Sequence, residues 1–144
     1  MQRDTLHLTL AFLGDVPPDR LDALRTIGDG VRAPATEITL DRLGYWPHNR
    51  IVWAGASKTS EALAQLVQRL GEALGAAGFR TERRPFAPHV TLLRNVESWR
   101  DGTGLDGMPT LAPLTWRVDR FVLACSQTAG NGAAYRPLAE WPLQ

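Results

Sequence analysis

A four-residue motif, His-x-Thr-Leu, occurs twice and constrains the fold more than any other feature of the chain. The copies are His7-Leu8-Thr9-Leu10 and His89-Val90-Thr91-Leu92, so the motif contains two of the three histidines. They begin 82 residues apart (89 − 7 = 82) in a chain of 144. Successive side chains of a β-strand point to opposite faces, so a strand would present each His and Thr together. The repeat therefore predicts two strands that each contribute half of one site.

Alternating apolar residues predict an α+β domain with mostly antiparallel sheets, formed by residues 1–144 as a single domain. Strands are expected at 6–13, 36–43, 50–56, 89–94, 114–126 and 134–143. The second and third of these predict a hairpin, with residues 44–49 as its connection. In the first strand one face is wholly apolar and is expected to face a core: Leu6, Leu8, Leu10 and Phe12.

Two segments have the spacing of amphipathic helices. The first follows Pro17-Pro18, continues to Val31 and is closed by Pro34, with Gly28 and Gly30 weakening its last turn. The second covers residues 60–77 and stops at Gly78. Residues 97–113 are rich in Gly, Asp and Pro and predict a loop, and residues 130–132 predict a turn.

Composition excludes several classes of protein. The net charge is only +1, and no apolar run approaches the ~18 residues of a membrane span. The single cysteine, Cys125, cannot form an intrachain disulfide, and its apolar neighbours predict a buried, inert thiol. No signal peptide is visible, so a soluble cytoplasmic protein without a membrane partner is expected. Neither a metal-ligand spacing nor a Gly-rich nucleotide loop occurs, so we expect no metal, no cofactor and no ATP-driven ligation.

Two histidines on facing strands suit acid–base chemistry at a phosphodiester. With an ordinary pKa near 6.5, imidazole can accept or donate a proton at neutral pH, so one ring can serve as base and the other as acid. The hydroxyl groups of Thr9 and Thr91 can donate to non-bridging phosphate oxygens. Arg94 could clamp the same phosphate, although alternation points it away from His89 unless the strand bulges or ends before it.

The aromatic residues leave alternatives open. Tyr45, Trp46 and Trp53 could each stack a base, because single-strand binders use aromatic side chains in this way. For Trp53, in the centre of an apolar strand, packing is the preferred interpretation. His48 lies outside the repeated motif and is expected to be a surface turn residue.

Three segments resemble the 2H phosphoesterases, and within them the RNA 2′,3′-cyclic phosphodiesterases, also called 2′-5′ RNA ligases. They are LHLTLAFLGDV (6–16), FAPHVTLLR (86–94) and the closing pattern Gly132-x-x-Tyr135-x-x-Leu138-x-x-Trp141-Pro142-Leu143. The resemblance implies two lobes related by a pseudo-twofold axis, with the histidines facing each other across a groove. It implies metal-free opening of a terminal 2′,3′-cyclic phosphate to a 2′-phosphate. It assigns His7, Thr9, His89 and Thr91 to the motif pairs and matches Arg94 to a following arginine.

The residues alone do not say which histidine is the acid. The working assignment is that His89 activates water and His7 protonates the departing 3′ oxygen. The implied partner is an RNA end with a 2′,3′-cyclic phosphate, as in tRNA halves, or a small nucleotide; no oligomeric state is predicted. Family members usually open with a strand and a helix before the first motif, and that segment is expected to be missing here.

Two rival hypotheses remain from the sequence. The first is a related enzyme that acts on small cyclic nucleotides or on 2′-5′ linkages, or that runs the reaction in reverse as an RNA ligase. The second is an RNA-binding module that has the fold without turnover. Intact His and Thr residues in both motifs favour an enzyme.

Overall fold

The chain folds into two helices and seven strands, as described by a computed structural model for residues 5–58, 60–82, 85–97, 111–129 and 132–144. The helices are α1 (Leu21–Gly30), which follows a 3₁₀ turn at Pro18–Arg20, and α2 (Glu61–Ala76). The strands are β1 (Thr36–Leu40), β2 (Arg42–Trp46), β3 (Ile51–Gly55), β4 (His89–Leu93), β5 (Leu114–Val118), β6 (Arg120–Ala129) and β7 (Gly132–Pro142). They form the sheets β2-β3-β4, β1-β5 and β6-β7.

The pairs β2-β3, β3-β4 and β6-β7 are antiparallel, which confirms the predicted α+β class. Two compact units make up the chain. Unit 1 contains Met1–Thr9, Ile38–Thr59 and Ala87–Trp116. Unit 2 contains Leu10–Glu37, Ser60–Phe86 and Arg117–Gln144.

The sheet β2-β3-β4 organises unit 1. Strands β2 and β3 form a hairpin in which Gly44 lies opposite Trp53. Strand β4 then pairs with β3, so that His89 lies opposite Gly55 and Thr91 opposite Trp53. Val52, Ala54 and Val90 are buried, and alternation places all three on one face of the sheet. His89, Thr91 and Trp53 consequently share the other face.

Helix α2 of unit 2 follows directly from its sequence. Ser60 caps it, because the Ser60 hydroxyl accepts a hydrogen bond from the Leu63 N–H at 3.2 Å. Leu63, Leu66, Leu70 and Leu74 form its buried stripe. Gly78 has φ +85°, the left-handed conformation that a glycine adopts readily after a helix. The predicted helix over residues 60–77 and its stop at Gly78 are therefore confirmed.

Trp141 of β7 packs against α1 at Gly28, a position without a side chain. The Trp141 ring stacks on Phe121 at 5.1 Å between centroids, and its indole N–H donates to Asp29 Oδ1 at 2.8 Å. A Cβ added at Gly28 would lie 2.2 Å from Trp141 Cζ2. Glycine at position 28 lowers the helix propensity of α1, but its lack of a side chain lets the Trp141 indole pack directly against the helix backbone. The helix itself, predicted from Pro17 to Val31, is confirmed.

The predicted strand at 6–13 is mostly wrong. Within that stretch only Leu8 pairs, through a single antiparallel bridge to Val90. Leu6 is 44% exposed and Phe12 73%, so neither faces the core as expected. An alternating segment becomes a strand only where a partner pairs along its length, and here the pairing is limited to one residue. The boundary between the units also falls after Thr9.

Two other predicted strands are divided at an aspartate. The segment 36–43 breaks at Asp41, whose carboxylate accepts hydrogen bonds from the backbone N–H of Ser57 at 2.8 Å and from the Ser57 hydroxyl. The hairpin is confirmed, but β2 extends to Trp46 and the connection shortens to residues 47–50. The segment 114–126 breaks at Asp119, whose carbonyl accepts from the Leu143 N–H at 2.7 Å.

The thiol of Cys125 is exposed, so its predicted burial is wrong. A bulge between Leu123 and Ala124 shifts the β6-β7 register, so the burial of Phe121 does not extend to Cys125 as its apolar neighbours had suggested. The predicted loop at 97–113 lies outside the described residues except for residues 97 and 111–113, and most of the predicted turn at 130–132 does as well. The final strand, predicted at 134–143, is confirmed as β7.

Candidate active site

The histidines and threonines of both motifs belong to unit 1, whereas Leu10 of the first motif belongs to unit 2. The antiparallel bridge between Leu8 and Val90, the second residues of the two motifs, brings them together. The arrangement of two lobes that each contribute one histidine stays a prediction.

The two histidines have the same local hydrogen bond. Nδ1 of His7 lies 2.8 Å from the carbonyl oxygen of Thr5, and Nδ1 of His89 lies 2.8 Å from that of Ala87. In both cases the acceptor is two residues earlier in the chain. Because a carbonyl oxygen can only accept, each Nδ1 must carry a hydrogen. Each ring therefore has Nε2 as the nitrogen that can exchange a proton with a ligand.

The two motif threonines differ in exposure. Thr91 is 7% exposed and is the one buried polar residue among the described side chains. Thr9 is exposed. Thr91 also lies opposite Trp53 across β3-β4, so its surroundings are fixed by the sheet. Thr9 follows the Leu8 bridge and lies outside any strand.

An aromatic cluster occupies the His89 face of the unit 1 sheet. The Trp53 ring lies over two glycines, because a Cβ added at Gly44 or at Gly55 would come within 2.0 or 2.8 Å of its atoms. Trp46 lies against Trp53, with 5.2 Å between ring centroids and 39° between planes. Trp46 also meets the imidazole of His89 edge-on, at 4.6 Å and 73°. Trp46 and the catalytic candidate His89 are therefore in direct contact.

Packing, the preferred interpretation of Trp53, is confirmed by its contact with the two glycines. Its indole Nε1 is buried and has no hydrogen-bond partner among the described residues. Tyr45 alternates to the other face, where its hydroxyl donates to the carbonyl oxygen of Val96 at 2.8 Å. His48 is exposed in the turn, as expected.

The contact between Trp46 and His89 could not be read from the motif. It depends on the hairpin register and on the β-bulge between Val52 and Trp53. The sequence feature that relates to this cluster is the pair Gly44 and Gly55. Neither has a side chain, and the Trp53 ring packs against both.

Arg94 lies just beyond the end of β4 at Leu93 and is exposed. The strand therefore ends before Arg94. Strand alternation does not apply to Arg94, so it does not require this side chain to point away from His89. Asn95, which follows, has φ +60°, so the chain changes direction immediately after Arg94.

Elsewhere the described residues offer little that competes with this site. A cavity of about 680 Å³ in unit 2, lined partly by Asp29, Arg32, Arg69 and Trp141, contains none of the motif residues. Within the described ranges, no group of three or more His, Cys, Asp or Glu side chains could hold a metal ion. Neither helix in that part of the chain is long and apolar enough to cross a membrane.

The family model of the 2′-5′ RNA ligase superfamily matches residues 1–128. The chain belongs to this superfamily. The RNA 2′,3′-cyclic phosphodiesterase of Escherichia coli (strain K12) is 35% identical over 140 residues, which cover 97% of this chain and 77% of that protein. The superfamily member of the same name from Thermus thermophilus is 31% identical over 150 residues, covering 96% of this chain and 72% of that protein.

Solved structures similar to this chain have the same fold. The crystal structure of E. coli LigT complexed with 3′-AMP matches with a TM-score of 0.81 at 35% identity, over 97% of this chain and 78% of that one. A crystal structure of a Thermus thermophilus protein matches with a TM-score of 0.72 at 27% identity, over 95% of this chain and 77% of that one. These matches confirm the resemblance that the three sequence segments indicated.

Proposed function

We propose that this chain is an RNA 2′,3′-cyclic phosphodiesterase that opens a terminal 2′,3′-cyclic phosphate to a 2′-phosphate by paired histidine acid–base catalysis. The proposal is supported by relatives named RNA 2′,3′-cyclic phosphodiesterase, including one that is 35% identical over 97% of this chain. The single observation that carries it is the Leu8–Val90 bridge, which joins the two His-x-Thr motifs.

The bridge has a consequence for the side chains beside it. Leu8 and Val90 lie on one face, so the residues flanking them turn to the other. The antiparallel direction of the bridge, carried one residue to either side, places His7 beside Thr91 and Thr9 beside His89. We infer that the two imidazoles and the two hydroxyls surround one phosphate.

The Nδ1 hydrogen bonds suit both roles in the reaction. Nδ1 carries hydrogen in the neutral tautomer with an unprotonated Nε2, which is a base, and in the imidazolium, which is an acid. Neutral His89 removes a proton from water through Nε2, and the resulting oxygen attacks phosphorus. The bond from phosphorus to the 3′ oxygen breaks, and Nε2–H of protonated His7 gives that oxygen its proton. The products are a 2′-phosphate and a 3′-hydroxyl.

The threonines and Arg94 serve the phosphate in this scheme. Negative charge grows on the non-bridging oxygens as water adds, and hydroxyl donors fixed beside the phosphate stabilise that charge. Thr91 is 7% exposed, so its side chain is held in packed surroundings. Arg94 supplies a full positive charge just beyond β4.

The test is hydrolysis of an RNA oligonucleotide that ends in a 2′,3′-cyclic phosphate, in excess EDTA, with the product identified by chromatography against authentic 2′-phosphate and 3′-phosphate standards. We expect a 2′-phosphate, a bell-shaped pH profile, and a loss of about 10²–10⁴-fold in rate for His7→Ala and for His89→Ala. His48→Ala is the matched control, because His48 is exposed and outside both motifs; its ring lies 6.1 Å from that of Trp46, centroid to centroid, without touching His89, and the variant should retain most of the activity. Full activity in either motif variant, or a strict need for added metal, contradicts the mechanism.

The substrate is compared within the same assay. Oligonucleotides with cyclic ends, tRNA halves and mononucleotide 2′,3′-cyclic AMP are supplied at equal concentration, and we expect the RNA ends to have the highest kcat/KM. Faster turnover of the mononucleotide would favour the related enzyme that acts on small cyclic nucleotides. Binding of the RNA end without any product would favour a module that has lost turnover.

A further inference from the structure

Trp46 is in contact with His89, yet it belongs to neither motif. We propose that Trp46 is a positioning residue, whose indole holds the imidazole of His89 in the orientation needed for proton transfer. This inference rests on the proposed function, in which Nε2 of His89 exchanges a proton with water. The indole itself takes no part in the proton transfer.

Trp46 can restrain the imidazole of His89 because Trp46 is itself packed against Trp53. The Trp53 ring lies directly on backbone, since added Cβ atoms at Gly44 and Gly55 would fall 2.0 and 2.8 Å from it. Trp46 packs on that ring at 5.2 Å between centroids, and it is half-buried. Glycine backbone, Trp53, Trp46 and His89 thus follow one another as successive contacts. Rigid aromatic rings in such a sequence leave each member few alternative rotamers.

The imidazole of His89 is then restrained at two points. The hydrogen bond from Nδ1 to the carbonyl of Ala87, at 2.8 Å, fixes one atom of the ring but still allows the ring to tilt about it. The indole meets the ring edge-on at 4.6 Å and 73°, a geometry that aromatic pairs prefer, and it blocks that tilt on one side. Together the two contacts define where Nε2 points.

Loss of the second restraint should reduce the chemical step more than substrate binding. A misplacement of a catalytic group by about 1 Å can cost about 10²-fold in rate. We therefore expect Trp46→Ala to lower kcat by about 10- to 100-fold while KM changes by less than about twofold. Trp46→Phe keeps an aromatic edge at His89 and should recover most of the loss.

The experiment combines steady-state kinetics on the cyclic-phosphate RNA with NMR spectra of the histidine ring protons. Trp116, on β5 and 38% exposed, supplies the matched control Trp116→Ala, which should leave kcat, KM and the His89 resonances unchanged. In Trp46→Ala the His89 ring protons should lose the ring-current shift of the indole. If this variant does not fold, as judged by circular dichroism, Trp46→Leu retains apolar volume without a ring and should show the same changes.

The outcomes separate the possibilities. A rise in KM with unchanged kcat in Trp46→Ala would show a base-stacking surface and overturn the positioning role. An unmoved His89 resonance would overturn it as well. If the wild-type chain hydrolyses no cyclic phosphate, the proposed function fails, while the NMR spectra still report whether Trp46 orders the imidazole.

Discussion

Replacing Gly28 by alanine tests how the end of the chain is attached to α1. In an exposed helix this substitution stabilises by about 1 kcal/mol, because alanine has the higher helix propensity. At Gly28 the added Cβ would lie 2.2 Å from Trp141 Cζ2, closer than side-chain atoms can approach. The Trp141 ring is rigid and stacked on Phe121, so it can yield only by moving as a whole.

The net effect follows from three contributions. Forcing an extra carbon into a packed site costs about 1–3 kcal/mol. Displacing the indole also strains its 2.8 Å hydrogen bond to Asp29, which is worth about 0.5–1.5 kcal/mol. Against these stands the propensity gain of about 1 kcal/mol. We expect Gly28→Ala to reduce the free energy of unfolding by about 1–3 kcal/mol, or about 3–10 °C in Tm.

The same helix contains its own control. Gly30 lies two residues further along α1, and a Cβ there would meet nothing within 4 Å. Gly30→Ala should therefore be neutral or stabilise by up to about 0.5–1 kcal/mol. Both variants are unfolded in urea at constant temperature and followed by circular dichroism. If Gly28→Ala is as stable as Gly30→Ala, the packing of Trp141 on the α1 backbone is refuted.

Three further predictions concern unit 1. Gly44→Ala places a Cβ 2.0 Å from the Trp53 ring, and we expect a lower Tm together with a lower kcat; an unchanged Tm would contradict the contact. Hydrogen bonds from the Ser57 hydroxyl and backbone lower the pKa of Asp41 below 3.8, so their stabilisation is present above that pH and is lost as the pH falls through the folded pKa. In Ser57→Ala an NMR titration should show this pKa rising, and no rise would exclude the hydroxyl as the cause. Arg94→Ala should raise KM for the RNA about fivefold at unchanged kcat, since an exposed charge contact is worth up to about 1 kcal/mol, whereas an unaltered KM would remove Arg94 from the binding site.

Helix α2 was predictable because every signal for it is local. Its apolar stripe, its cap at Ser60 and its stop at Gly78 all lie within twenty residues. Strand β4 was predictable for a similar reason, since alternation within the second motif is enough to define it. The hairpin β2-β3 is likewise short-range, although its turn lies later than the aromatic residues suggested.

The errors occur where structure depends on a distant partner. Leu6 to Leu13 has the pattern of a strand, but only Leu8 finds a pairing residue, on β4. Asp41 and Asp119 interrupt patterns that alternate on both sides of them, because the chain changes sheet at each of these residues. Alternation in the sequence predicts a strand but does not indicate which other strand pairs with it.

The candidate site was predictable in its residues but not in its surroundings. The repeated motif identified His7 and His89 without any structure, and their catalytic roles remain predictions. Of the aromatic candidates, the sequence did not single out Trp46 as the neighbour of His89, because that contact depends on register and on a bulge. The interpretation of residues 1–144 as one bilobal domain also stays a prediction.

The hydrogen bonds at Nδ1 have a consequence for mutational robustness. Both acceptors, at Thr5 and Ala87, are main-chain carbonyls, which every amino acid possesses. Side chains at these two positions can therefore drift without altering the protonation pattern of either ring. These hydrogen bonds depend instead on the backbone conformation. At the second motif, Pro88 restricts Ala87 to extended conformations. Variation that retargets the surface to new substrates can thus accumulate while the proton-transfer atoms stay as they are.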